Sequence, residues 1–207
     1  SRLEKRKGLL NRLLRYESLY EGLLSFSSTL CGFPLLAQRR NLGYDRALFF
    51  SINGFFSHLN LSRGEAKLFV DEASNSRNTT VCLSPEGMTL SNKQKSYFEW
   101  FSDKRSYFHL AKRLRFSSLL LLGINFFSQF SFWLLFPVLL IYQINPQLVL
   151  LAFTLRFCLQ YIVYWKMCKF TNEYRLLWFL PFYEISLMLI HFILSLSTFI
   201  KKVHDWD

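Results

Sequence analysis

Acidic side chains are scarce in this chain: 14 Asp and Glu stand against 25 Lys and Arg, a formal net charge of +11. A chain this basic normally suggests nucleic acid, but it has no helix-turn-helix, finger or RNA-binding signature. Membrane surfaces, anionic lipids and sugar phosphates are the better partners. Four cysteines, Cys31, Cys82, Cys158 and Cys168, lack metal-ligand spacing, which argues for reduced structural thiols over a zinc site or a disulfide framework. Strand-like runs are few. Residues 79–83 alternate and are closed by Pro85-Glu86-Gly87, yet too few such runs exist to complete a sheet. There is no charge at all over residues 116–142, a run longer than the roughly 20 residues that cross a bilayer. The chain opens with Ser1 rather than Met and carries no signal-peptide pattern, so the C-terminal piece of something longer is expected.

What is present is hydrophobic and aromatic: 51% of residues are apolar and 23 are Phe. Residues 5–28 place Leu9, Leu10, Leu13, Leu14, Tyr20, Leu23 and Leu24 at helical spacing, opposite Lys5, Arg6, Lys7, Arg12 and Arg15. Asp45 can cap a helix through Phe50, a second short helix is predicted over residues 64–73, and a turn at residues 75–78. This mixture predicts part of an α/β or α+β domain over residues 1–96. Residues 97–115 interleave Tyr97, Phe98, Trp100, Phe101, Tyr107 and Phe108 with Lys104, Arg105, Lys112, Arg113 and Arg115, the make-up of an amphipathic helix along a lipid headgroup layer. An amphipathic core helix with a solvated face is the alternative.

An all-α membrane region follows over residues 116–207, with spans predicted at about 116–142, 148–167 and 176–200. Residues 1–115 carry 19 Lys and Arg and 10 Asp and Glu, against 6 and 4 afterwards. The positive-inside rule therefore places residues 1–115 in the cytoplasm, where the sequons at Asn60 and Asn78 would be silent. Arg156 and Glu184 are charges within predicted spans. At about 1.5 Å per residue they reach similar depths in antiparallel neighbours, which predicts an intramembrane pair, with snorkelling of each to its own interface as the alternative.

The succession Arg40-Asn41-Leu42-Gly43-Tyr44, Ala47-Leu48-Phe49-Phe50, Gly54-Phe55, His58-Leu59, residues 64–69, Asn78 to Pro85-Glu86, and Phe98-Glu99-Trp100-Phe101 resembles bacterial membrane-bound family 2 glycosyltransferases, over essentially the whole chain. The resemblance implies a partial α/β glycosyltransferase-type catalytic domain ahead of transmembrane helices in the bacterial cytoplasmic membrane. It implies transfer of a sugar from a nucleotide-sugar donor to a lipid-linked or surface-glycan acceptor. The donor-binding half, with its Asp-x-Asp motif and Mg or Mn ion, is missing from this chain, so an N-terminal partner half is implied and no cofactor belongs to the chain itself.

Arg40 and Asn41 would frame the acceptor site, while Trp100, Lys104 and Arg105 would face acceptor or diphosphate. The stretch matching the family's acidic cluster reads Gly64-Glu65-Ala66-Lys67-Leu68-Phe69, with Ala66 at the position of the proton-abstracting carboxylate and Glu65 as the surviving acidic candidate. Asp103-Lys104-Arg105-Ser106-Tyr107 replaces a Gln-x-x-Arg pattern, and Gln38-Arg39 would narrow the acceptor groove. Trp100 as an interfacial anchor and Glu65 as a helix-start carboxylate are the competing readings. Three functions follow: a glycosyltransferase part, a catalytically degenerate relative serving as a membrane scaffold, or a small transport or lipid-binding membrane protein.

Overall fold

The computed structural model describes residues 2–37, 41–54, 56, 64–84, 86–92 and 96–200. Helices dominate it: α1 (Leu9–Leu30), α2 (Arg46–Ser51), α3 (Glu65–Ala73), α4 (Tyr97–Leu110), α5 (Phe116–Ile141), α6 (Pro146–Thr171) and α7 (Leu180–Ile200), with 3-10 turns at Ala111–Arg113 and Tyr174–Phe179. Among the described residues, strand is confined to two-residue segments, β1 (Arg2–Leu3) and β2 (Leu90–Ser91), paired in parallel with Arg2 opposite Leu90.

This corrects the expected fold. The described residues form no α/β glycosyltransferase-type domain; they are helical with one minimal ladder. Residues 79–83, expected as strand, are irregular. A strand is stable only when a neighbour takes up its N–H and C=O groups, and among the described residues no strand pairs with this segment. The chain divides into two compact units, one comprising Ser1–Leu119 with Ile190–Asp207 and the other Leu120–Leu189.

In the first unit, α1 is buried all round over one turn, Leu13 to Glu17, and again at Leu19. Leu13 and Leu14 are inside as their spacing predicts, but Arg15, expected on the opposite face, is buried with them and Leu9 is exposed. Asp45 caps α2 by accepting from the backbone N–H of Ala47 at 2.7 Å. Tyr44, Phe49 and the buried Phe69 of α3 then meet ring to ring, with centroids 4.9–5.9 Å apart. Gly64 opens α3 with φ +95, where a Cβ would lie 2.0 Å from Leu110 Cδ1, so only glycine lets the helix start this close to α4. The Asn75–Asn78 turn closes on itself, each Asn side chain accepting from the other's backbone N–H.

Asp71, buried on α3, accepts from the backbone N–H of Arg115 at 2.7 Å and from the Ser118 hydroxyl. It thereby places a carboxylate at the positive end of α5. That long helix is thus anchored where it begins.

Three segments are long and apolar enough to cross a membrane: Phe116–Ile141, Pro146–Thr171 and Tyr174–Ser197, with mean hydropathies of 1.7, 1.6 and 1.8. The first has none of its apolar window buried by protein, as a lipid-facing helix requires. The chain is a membrane protein on this ground. In the second unit, the turn after α5 uses Gln143 and Asn145 at positive φ, and Pro146 starts α6 where its missing N–H costs nothing. Stacked rings join α5 to α6: Phe136 lies 3.8 Å from Phe153, and Phe132 lies 5.4 Å from it.

A candidate site of clamped charges, and a second polar cluster

The residues singled out in the sequence do not all converge. Trp100 and Lys104 do. They lie one helical turn apart on the inner face of α4 and turn toward α1. The Trp100 indole N–H donates to Glu17 Oε2 at 2.8 Å. Lys104 Nζ pairs with Glu17 Oε1 and, at 2.8 Å, with Glu21 Oε1. Lys67 of α3 reaches the same Glu21 oxygen at 3.6 Å. Tyr107 presents its ring face to both ammoniums, 4.3 Å from Lys67 Nζ and 5.6 Å from Lys104 Nζ. One turn of α1, the start of α3 and the middle of α4 are thus tied by two carboxylates and two amines. Phe108 of the same helix tilts against His191 of α7, ring centroids 5.7 Å apart.

Arg105 is half-buried one residue beyond Lys104, about 100° around the helix, so the two cations do not address one point. Glu65 is half-buried in the first turn of α3, and Asn41 is exposed. Arg40 lies outside the described residues, as do His58 and Leu59. Ala66 is buried, 5% exposed.

Proton chemistry at this cluster follows from its pairing. Burial alone would push the Glu21 carboxyl up, but the ammoniums of Lys104 and then Lys67, with the hydrogen bond from Lys104, outweigh it and hold Glu21 well below its ordinary value of 4.5. Burial alone would lower Lys104, but Glu21 and Glu17 outweigh it and raise the amine above 10.5. A general base works best with a pKa near the working pH, and both groups are driven away from it. The arrangement holds helices together and is ill suited to taking a proton from a hydroxyl.

It is equally ill suited to a divalent cation. Among the described residues no three His, Cys, Asp or Glu side chains gather, and the carboxylates of Glu17 and Glu21 are already faced by ammoniums. Neither Mg nor Mn fits these residues.

Glu17 and Glu21 escape the sequence reading, and Lys67 and Tyr107 enter it only as members of longer stretches, with no role of their own. Glu17 and Glu21 carried a signal: two acids four apart in an otherwise leucine-rich helix, with Glu17 on its buried face, must have cationic partners.

In the second unit, Arg156 and Glu184 form an ion pair, Nη2 to Oε1 at 2.6 Å, with Glu184 4% exposed. Gln160, one turn along α6, donates its amide to the other Glu184 oxygen at 2.9 Å. The Arg156 guanidinium lies 3.7 Å over the Phe132 ring of α5. Aromatic stacking and an ion pair thus meet at one level of three spans.

No protein-family model, no characterised protein and no solved structure matches this chain.

Proposed function

We propose that this chain is the membrane-anchored, acceptor-side part of a family 2-type glycosyltransferase system that passes a sugar from a nucleotide-sugar donor to a lipid-linked or surface-glycan acceptor, and that it does not itself supply the proton-abstracting carboxylate. The motif succession of the sequence supports the family. The observation that carries the second half is the clamp: Glu21, which faces Lys67 of the matched stretch, is held by Lys67 and Lys104, Glu17 is held by Lys104, and Ala66 has no group to accept a proton, which leaves Glu65 as the one acid within the stretch. The basic excess of residues 1–115 supports placing them on the cytoplasmic face of a bacterial inner membrane. Donor binding, with any Mg or Mn ion, belongs to a segment or partner outside this chain.

A second reading has specific support. With the base position filled by Ala66 and the neighbouring charges neutralised, a catalytically degenerate relative that acts as a membrane scaffold needs nothing more than the clamp provides.

One experiment separates the two. The chain is joined to the donor-binding half of a related enzyme, and sugar transfer to a lipid-linked acceptor is measured in membranes with Ala66, Ala66→Asp and Ala66→Asn. The first reading expects no transfer with Ala66 or Asn and transfer with Asp. Transfer with Ala66 in place overturns the claim that the base is lost. Failure of Asp to restore transfer, with all three proteins folded alike, removes the glycosyltransferase-part reading and leaves the scaffold.

A further inference from the structure

In the second unit, the corner where α6 gives way to the 3-10 turn Tyr174–Phe179 has two sides of opposite character. Its inner side is packed: Tyr164, Met167, Cys168 and Thr171 of α6, three and four residues apart, are buried, as is Leu176 of the turn. Asn172 ends the helix at φ +58, and Glu173 donates its backbone N–H to the Cys168 carbonyl at 2.9 Å. The outer side carries Trp165, 50% exposed, and Trp178, 84% exposed, together with the exposed cations Lys166, Lys169 and Arg175. Lys169 Nζ lies 5.9 Å from the Trp165 ring centroid, over its face. Arg175 and Trp178 are three residues apart in a 3-10 turn, a spacing that puts both on one side of it.

The charge at this corner is unbalanced. Between Leu120 and Leu189 the acids are Glu173 and Glu184, both buried, and Glu184 is taken up by Arg156. No exposed carboxylate of the unit therefore faces Lys166, Lys169 or Arg175. Helix length sets their depth. A hydrocarbon core takes roughly 20 helical residues, and a count of about 20 from Pro146 ends near Trp165. Lys166 and Lys169 then stand in the headgroup layer, and the next segment long enough to cross, Tyr174–Ser197, begins just beyond them. Tryptophan rings at such a boundary hold a span at its depth.

We infer that Lys166, Lys169 and Arg175, flanked by Trp165 and Trp178, form a binding site for the phosphate of an anionic phospholipid headgroup. The phosphate oxygens accept from the two ammoniums and the guanidinium, and the lipid supplies the negative charge that the unit itself does not. A zwitterionic headgroup brings its own cation to the same place, so the corner selects against it. The two helices are thereby anchored to one class of lipid where they turn. This inference stands independently of any role in sugar transfer.

The test is fluorine NMR of the full chain labelled with 5-fluorotryptophan, in phosphatidylcholine bilayers. The probes are phosphatidylglycerol and phosphatidylcholine, each carrying the same nitroxide near the glycerol end of one acyl chain and added in equal small amounts. The Trp165 and Trp178 signals are assigned by their loss in Trp165→Phe and Trp178→Phe. Labelled phosphatidylglycerol should broaden both signals several-fold more than labelled phosphatidylcholine. With Lys166→Gln, Lys169→Gln and Arg175→Gln combined, that preference should fall close to parity, while broadening by labelled phosphatidylcholine persists because the rings keep their depth. Diffuse attraction to a chain with 25 Lys and Arg would scarcely register the loss of three. Equal broadening by the two lipids in the native chain overturns the site, as does broadening by neither. An undiminished preference in the folded triple variant overturns it as well. Should the triple variant fail to insert, Arg175→Gln alone is expected to lower the preference, and an unchanged preference there has the same consequence.

Discussion

Replacing Lys104 by Met tests the charge clamp most directly, because Met keeps the length and removes only the ammonium. In the native chain Lys104 is 9% exposed and compensates Glu17, 5% exposed, together with the less buried Glu21. Removing one member of a buried ion pair costs about 3–5 kcal/mol, since the partner charge is left desolvated. Here the lower end applies: the Trp100 indole still donates to Glu17, and Lys67 still lies 3.6 Å from Glu21. A loss of about 3 kcal/mol in a chain of this size lowers the melting temperature by roughly 6–12 °C.

The assay is heating of detergent-solubilised protein followed by size-exclusion chromatography, with Glu21→Gln and the double variant beside Lys104→Met. The double variant should lose less than the two singles added together, because Glu21 is then no longer a second uncompensated charge beside Glu17.

The pH dependence has a definite sign. Glu21 has a folded pKa below 4.5, so its contribution is present above that value and is lost as pH falls through the lower folded one. Lys104 has a folded pKa above 10.5, so its contribution is present below that value and is lost as pH rises past it. The difference between native and Lys104→Met proteins should therefore stay constant from about pH 5.5 to about pH 9.5. A shift below about 2 °C, or a difference that varies within that window, would refute the clamp as a stabilising device.

Arg156→Leu and Glu184→Leu should each reduce the folded yield in membranes, by about 2–3 kcal/mol in a steric-trap or unfolding assay, and the double variant should recover about half of that loss. Additive effects would show that the two charges do not depend on one another. Gly64→Ala places a side chain at φ +95 and 2.0 Å from Leu110 Cδ1, and should cost at least about 2 kcal/mol by the same thermal assay. Adding Leu110→Ala should not restore native stability, since it relieves the collision and leaves the backbone strain.

Local signals carried the helices: leucines at 3.6-residue spacing for α1, Asp45 for the start of α2, Gly64 for the start of α3, and an uncharged run for α5. Each of these acts within a few residues, which is why it can be read along a line. The α/β expectation failed because it rested on one alternating run among short helices, together with a resemblance, and neither shows whether a strand finds a partner. Thr79 to Leu83 has strand-forming residues, but strand is a property of a pair, and among the described residues none pairs with this segment.

The candidate site shows the same division. Lys104 could be picked out as a cation on an aromatic-rich helix, yet its meaning depends on Glu17 and Glu21, 83 or more residues away. In isolation it reads as a ligand for a diphosphate. Beside two buried carboxylates it is already occupied, and an occupied cation cannot steady a leaving group without giving up the packing of α4 against α1. Any sugar transfer that used Lys104 would therefore have to open this clamp, so activity and stability of the helical unit should oppose one another at this residue.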